Sequence, residues 1–235
     1  LDKAQALVAN DRRTLAVYDQ LAKSLFLELF GDPVRNERGW EVVALRDACE
    51  RIQVGPFGSQ LHSYDYVDEG IPLINPMHLI DLKIVPSQSM NITNEKYDEL
   101  ENYHLNQGDI IMARRGEMGR CALVTAQENG WFCGTGSLFL RPSPSLIPEY
   151  LLYTLSGASA VQYLEQEAKG VTMSNLSKGI LEKFRVALPP MKTQKKFQLG
   201  LAKLDAQRAL SLTSVHRSED LFGSLLQGAF KGQLG

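Results

Sequence analysis

Nowhere do these 235 residues stay apolar for the ~18 positions that a bilayer-spanning helix needs, so no segment reads as a membrane span. The first residues are amphipathic and charged, unlike a secretion signal. Cysteine is scarce, and Cys49, Cys121 and Cys133 lack paired spacing, which argues against a disulfide framework or a zinc ribbon. The histidines, His62, His78, His104 and His216, are equally scattered. With no export signal and free thiols, a reducing cytoplasm is the expected compartment. A surplus of positive charge is missing too: the net charge of −2 excludes a protein that coats nucleic acid indiscriminately. Leu1 stands where an initiator methionine would, so a fragment or a processed product is expected.

Catalytic constellations are also lacking. GTGSLF, at Gly134–Phe139, is a piece of a phosphate-binding pattern without its third glycine or a strand-to-helix context. INPM, at Ile74–Met77, contains Asn-Pro and reads as a turn. A cysteine hydrolase built on Cys121 or Cys133 is the enzymatic alternative, with no local motif behind it. The residues point to a protein that carries no catalytic group, metal or cofactor of its own.

What is present is organised in three parts. Residues 1–31 read as one helix, with Leu7, Leu15, Tyr18, Leu21 (or Ala22), Leu25 and Leu29 at helical steps and GDP as its exit. Residues 189–235 read as a second helix, striped by Phe197, Leu201, Leu204, Leu212, Val215, Phe222, Leu226 and Phe230. Gly200, Gly223 and Gly228 each weaken it by roughly 1 kcal/mol, which suits a helix clamped against a partner rather than one standing alone. Between them, residues 32–188 alternate short β-leaning runs (WEVVAL, IPLINP, GDIIMARRG, CALVTA, GSLFLRP, FRVALP) with helical stretches (EKYDELENYHL, PEYLLYTLSGASAVQYLEQEA). The expected fold is α+β: a mixed α/β globular domain flanked by two long amphipathic helices that form an antiparallel coiled coil. Leu21, Leu25, Leu204, Val215 and Phe222 are its expected seam.

The two helices also end alike. LAKSLFLELFG (21–31) and LFGSLLQGAFKG (221–232) align with Leu, Ser, Leu and Phe in common, as if one unit had been duplicated. Charge is uneven as well. Trp40–Gly108 holds four Lys/Arg against eleven Asp/Glu, whereas Ile110–Arg185 holds eight against six with several cations beside glycine, so local positive charge exists despite the net value.

Four stretches, in order along nearly the whole chain, resemble a known family. SLFLELFGDPVRNERGWEVVALRDACERI resembles the junction of helix and recognition domain in specificity subunits of type I restriction–modification systems. QGDIIMARRGEMG, ALPPMKTQKKF and LLQGAFKGQL are similar to that family's inner glycine-bearing motif, its passage into the next helix and its C-terminal ending. The resemblance implies a non-catalytic subunit whose target-recognition domain reads one half of a split double-stranded DNA sequence. It implies that the helices dock adenine methyltransferase (M) subunits, that a nuclease/translocase (R) subunit joins for restriction, and that S-adenosylmethionine sits only on the methyltransferase. With one recognition domain, the chain is expected to be a half-size subunit that dimerises or the C-terminal half of a longer one, its seam satisfied within the chain, between two copies or by a second S half. About a helical turn of DNA, roughly 34–36 Å, separates half-sites read by paired modules, and a helix of some 30 residues spans a similar length.

Direct readout needs polar side chains on loops where glycine lets the backbone approach. Three segments qualify. QVGPFGSQLHS offers Gln53, Ser59, Gln60 and His62; MARRGEMGR offers Arg114, Arg115 and Arg120; KGVTMSNLSKG offers Lys169, Thr172, Ser174, Asn175 and Lys178. The plainer reading of each is structural: a solvated turn for the first, an ion pair of Arg114 or Arg115 with Glu117 for the second, a helix cap at Thr172 or Ser174 for the third. Lys192, Lys195 and Lys196 are either backbone contacts or a wet helix face. A helical-arm scaffold whose domain binds protein or a small ligand is the alternative function.

Overall fold

The structure, a computed structural model, describes residues 2–168 and 175–230. It divides into two compact units, Leu1–Leu29 with Lys195–Gly235, and Phe30–Gln194.

The first unit pairs α1 (Asp2–Phe30) with α7 (Met191–Phe230). Phe26 meets Phe197 edge-on at 5.3 Å, Asp19 meets Arg208 at 3.6 Å, and Asp11 accepts from the Ser218 hydroxyl at 2.6 Å. Partners climb along α7 as α1 is descended, so the helices run antiparallel. Leu25 lies against Gly200, where a Cβ would stand 2.4 Å from its methyl carbon. The glycine that costs helix propensity is thus the one that lets the two backbones approach. Val215 is buried, and Leu25, Leu204 and Phe222 are partly buried. Leu21 is not in the seam: it is 46% exposed, and Ala22 is buried in its place. Ala22 and Phe26 carry the buried stripe, with Leu25 beside them; Leu21, about 100° of helix rotation from Ala22, falls beyond its edge. The outer part of the pairing is polar, with the Tyr18 and Ser211 hydroxyls 3.2 Å apart.

α1 stops where the sequence predicts. Gly31 takes a left-handed φ of +65°, and the Asp32 carboxylate then accepts from the backbone N–H of Val34 at 2.9 Å. In the second unit, β1 (Glu41–Ala44) pairs antiparallel with β12 (Arg185–Leu188), joining the strand that enters this unit to the one that leaves it. Between them lie α2 (Leu45–Ala48), β2 (Cys49–Val54), β3 (Tyr66–Val67), β4 (Ile71–Ile74), β5 (Leu79–Ile80), β6 (Lys83–Ile84), β7 (Asn91–Ile92), α3 (Asn94–Glu99), β8 (Ile110–Ala113), β9 (Cys121–Leu123), β10 (Phe132–Cys133), β11 (Ser137–Pro142), α4 (Pro148–Leu155), α5 (Ala158–Ala168) and α6 (Lys178–Lys183).

One four-stranded sheet has the order β2-β11-β8-β9 and is antiparallel throughout. A second has the order β10-β4-β7-β3, with β10 and β4 parallel; β5 and β6 form a separate hairpin. β8 is buried along its whole length, and Leu138, Phe139 and Leu140 of β11 are fully buried beside it. Each such side chain contributes about 1.5–3 kcal/mol through removal from water. The six predicted strands all appear, and β2, β3, β5, β6, β7 and β10 are additions. The unit boundary falls inside α7 for a reason the sequence does not advertise. Gln194, buried, accepts from the Ile147 N–H at 2.8 Å and donates to the carbonyls of Ser145 and Pro189 at 3.0 and 2.9 Å. Those bonds keep the first turn of α7 with the globular unit.

Candidate nucleic-acid interface

Antiparallel order brings the C-terminal ends of β2 and β8 and the N-terminal ends of β9 and β11 to one end of the sheet. The segments leaving there are the 55–62 loop, the 114–120 loop and the 134–136 turn. A run of main-chain bonds ties them together: Gly55 N–H to Ser137 O (3.0 Å), Gly134 N–H to Ile74 O (2.9 Å), Arg114 N–H to Gly136 O (3.0 Å) and Leu176 N–H to Arg114 O (2.8 Å). Gly55 sits so close to this turn that a Cβ would lie 2.0 Å from the Gly134 carbonyl oxygen, so no other residue fits. The Asn75 side chain accepts from the Gly136 N–H at 3.3 Å, and the Arg120 guanidinium donates to Pro76 O at 3.4 Å. Asn175 and Arg115 form an antiparallel bridge. The first two segments singled out in the sequence therefore meet at one sheet end, together with Asn175 and Leu176, which begin the described part of the third.

Individual residues fare differently. Arg115 is exposed, and no carboxylate among the described residues reaches it. Arg114, its neighbour, is only 7% exposed; burial and the Arg115 charge together push its guanidinium below the ordinary arginine value. Neither pairs with Glu117. That carboxylate is held by Arg120 at 2.7 Å, which leaves Arg120 tied within its own loop and partly neutralised. Met118 and Gly119 anchor the same loop inward, a Cβ on Gly119 falling 2.3 Å from a Val161 methyl.

Gln53 is on β2 opposite Phe139 rather than on a loop, its amide donating to Val54 O at 2.9 Å. Ser59 is exposed at the loop tip. The Gln60 carbonyl oxygen accepts from the Tyr103 hydroxyl (2.9 Å) and the Phe57 N–H (3.3 Å), so half of its amide is spent on holding the loop. His62 stacks on the exposed Tyr64 ring at 5.0 Å. Lys169, Thr172 and Ser174 lie outside the described residues. Asn175 is partly buried, and its side-chain oxygen has no partner among the described residues. Ser177, not foreseen, caps α6 by accepting from the Ile180 N–H at 3.3 Å. Lys178 is exposed, 3.7 Å from Glu182, and with Arg46, Arg51 and Gln53 lines a shallow polar depression of about 220 Å³. Lys192, Lys195 and Lys196 are exposed.

The Asn75 and Gly134–Gly136 turns were missed as parts of one site. INPM and GTG were both visible, but each is a weak local signal and only their contact relates them. The cysteine-hydrolase alternative fails: Cys121 and Cys133 are buried, and burial pushes the Cys121 thiol up to about 12 and raises that of Cys133, leaving no thiolate for attack. Among the described residues no group of His, Cys, Asp and Glu is placed to hold a metal ion, and no helix is long and apolar enough to cross a membrane.

A family described as the type I restriction modification DNA specificity domain matches residues 37–214. The chain belongs to this family. Type I specificity subunits supply DNA recognition, without catalysis, to their restriction–modification systems. Over 171 residues the chain is 28% identical to a Methanocaldococcus jannaschii protein provisionally named the type I restriction enzyme MjaX specificity subunit, covering 71% of this chain and 39% of that one. In fold it is similar to the HsdS subunit from Thermoanaerobacter tengcongensis, with a TM-score of 0.57 and 22% identity over 99% of this chain and 57% of that one. A chain from a structure addressing complex assembly and conformational transition of a type I R-M system gives a TM-score of 0.52 at 21% identity, over 99% and 58%. The chain thus spans 39% of the curated relative and a little over half of the solved chains.

Proposed function

We propose that this specificity chain reads one half of a bipartite double-stranded DNA target through the loop end of the β2–β11–β8–β9 sheet, and that its helices dock an adenine methyltransferase. One observation carries the first part: the 55–62 loop, the 114–120 loop, the 134–136 turn and Asn175–Leu176, distant in sequence, come together at that end beside an exposed arginine that no carboxylate among the described residues neutralises. Arg115 supplies a phosphate or base-edge donor there, and Asn175 and Ser59 offer further polar groups. Family membership supports the second part, since specificity subunits work within multisubunit systems, and one of the similar folds comes from a study of such assembly. In this reading the methyltransferase holds S-adenosylmethionine and performs the methylation, the nuclease/translocase joins for restriction, and the other half-site is read by a second copy or a second S half.

A single domain with net charge −2 makes few phosphate contacts, so affinity for DNA alone is modest and rises strongly once methyltransferase subunits enclose the duplex. The test is co-expression with a type I methyltransferase from the same genome, followed by a genome-wide map of N6-methyladenine. A gapped symmetric motif indicates two copies; an asymmetric one indicates a second recognition domain. Gel-shift titrations give the complementary measure. Arg115→Ala is expected to reduce the slope of log affinity against log salt by about one unit while stability changes by less than about 0.5 kcal/mol. Equal DNA affinity with and without methyltransferase, together with an unaltered Arg115→Ala, overturns the reading and favours the helical-arm scaffold.

A further inference from the structure

Arg114 is the buried charge that this reading leaves unused. Its backbone N–H donates to Gly136 O at 3.0 Å, its carbonyl accepts from Leu176 N–H at 2.8 Å, and its side-chain Nε donates to Leu176 O at 3.4 Å. One residue therefore holds both polar groups of Leu176, which is itself fully buried, and ties the 134–136 turn to the same point. Among the described residues no carboxylate lies within ion-pair distance of its guanidinium. An arginine so buried and so unpaired is costly, and a methionine of similar length would avoid the cost while filling the space. The Nε bond to Leu176 O is what the charge obtains in return, and it closes a second tie on a residue already held by the Arg114 backbone carbonyl. On either side of Leu176 stand Asn175, bridged to Arg115, and Ser177, the cap of α6.

We infer that Arg114 is a positioning residue of the DNA-reading end: by gripping Leu176 it sets where Asn175 and the start of α6 stand relative to Arg115, and it does not itself contact phosphate. This rests on the reading of that sheet end given above. The donor at Nε lies part-way along a planar guanidinium fork, a position that lysine, with its single terminal ammonium, leaves empty. Lysine at 114 would keep the charge and lose the grip.

The experiment compares Arg114→Lys and Arg114→Met in the full chain. Three quantities are read: amide exchange at Leu176, the salt dependence of binding to a scrambled-sequence duplex, and the N6-methyladenine motif made with the methyltransferase. The Leu176 amide, buried and bonded to Arg114 O, is expected to be protected in the wild type. Both variants are expected to exchange it about tenfold faster, as loss of one hydrogen bond to a charged group allows, to keep the wild-type salt slope, and to methylate a motif degenerate at one or more positions. Rescue of the motif by lysine, or a salt slope lowered by about one unit in Arg114→Met, makes Arg114 a charge or phosphate contact and overturns the inference. So does a Leu176 amide that exchanges freely in the wild type, or equally in wild type and Arg114→Lys, a comparison that stands if the methionine variant does not fold. Absence of any sequence preference in the wild-type complex sinks the DNA reading instead, and the Leu176 exchange still decides for or against the grip.

Discussion

The two ends of the β2–β11–β8–β9 sheet each draw an arginine inward and treat it in opposite ways. At one end Arg141 binds Asp109 through both oxygens at 2.8 Å, lies 5.4 Å over the Phe139 ring, and is held above the ordinary arginine value by its bond to that carboxylate. At the other end Arg114 has no carboxylate beside it among the described residues, sits beside Arg115, and is pushed down by burial and by that like charge. The first end is closed around a fully buried carboxylate that has its counter-charge. The second collects loops, tight glycine turns and two adjacent cations, Arg114 and Arg115, that no carboxylate among the described residues neutralises. Such a division is what a DNA reader requires, because the rigid part must be self-sufficient and the reading part must keep its donors for the ligand.

The comparison breaks most visibly at the closed end. Replacing Arg141 with alanine strands Asp109, which is fully buried, without a counter-charge, so stability measured by urea unfolding should fall by about 3–5 kcal/mol. A fall comparable to that of a surface pair would mean that water reaches Asp109 and that the two ends do not differ as described. A smaller effect is expected at the loop end. Ser177→Ala removes the cap of α6 and should cost about 1 kcal/mol in the same measurement, with sequence preference reduced more than stability.

The smallest effect concerns pH. His78 closes the Asn75 turn, its Nδ1 accepting from the Asn75 N–H at 3.1 Å, and burial lowers its pKa from 6.5 against a smaller opposing pull from a backbone bond to Leu73. Because the folded protein disfavours the protonated ring, the unfolded chain takes up the proton first as pH falls below 6.5. The stability from His78 is full above that value and declines below it. His78→Gln should flatten this decline in urea midpoints taken across that range; an identical pH profile in the variant would remove His78 from the account.

Much of this architecture was legible because its signals are local. WEVVAL and FRVALP read as strands from composition and are strands, paired with each other. GDP reads as a helix stop and is one. β2 was not legible, since CERIQV mixes Glu50, Arg51 and Gln53 with its few apolar residues; what makes it a strand is backbone pairing to β11, which composition does not reveal. Arg114 and Arg115 could not be told apart either. β8 is buried on both faces, so its apolar run IIMA carries no alternation from which to project which of the two following arginines turns inward. At the helix pair the ambiguity between Leu21 and Ala22 was one of phase, and it was settled by what α7 presents opposite: a glycine at 200 and a phenylalanine at 197, which take in Leu25 and Phe26.

What the sequence by itself determined is the set of parts: two amphipathic helices around an α+β domain, three polar glycine-bearing segments, and an order of motifs that places the chain in its family. Periodicity, turn chemistry and composition act over a few residues, and a few residues suffice to read them. Which parts touch was decided only in the folded protein. Gly55, Asn75, Gly136, Arg114 and Leu176 are joined by bonds between residues far apart in the chain, and such bonds leave no local periodicity to read. The same holds for charge: Arg141 and Arg114 are the same residue type in similar sequence surroundings, and only the presence of Asp109 beside one, and of no carboxylate among the described residues beside the other, separates the end that holds the fold from the end proposed to read DNA.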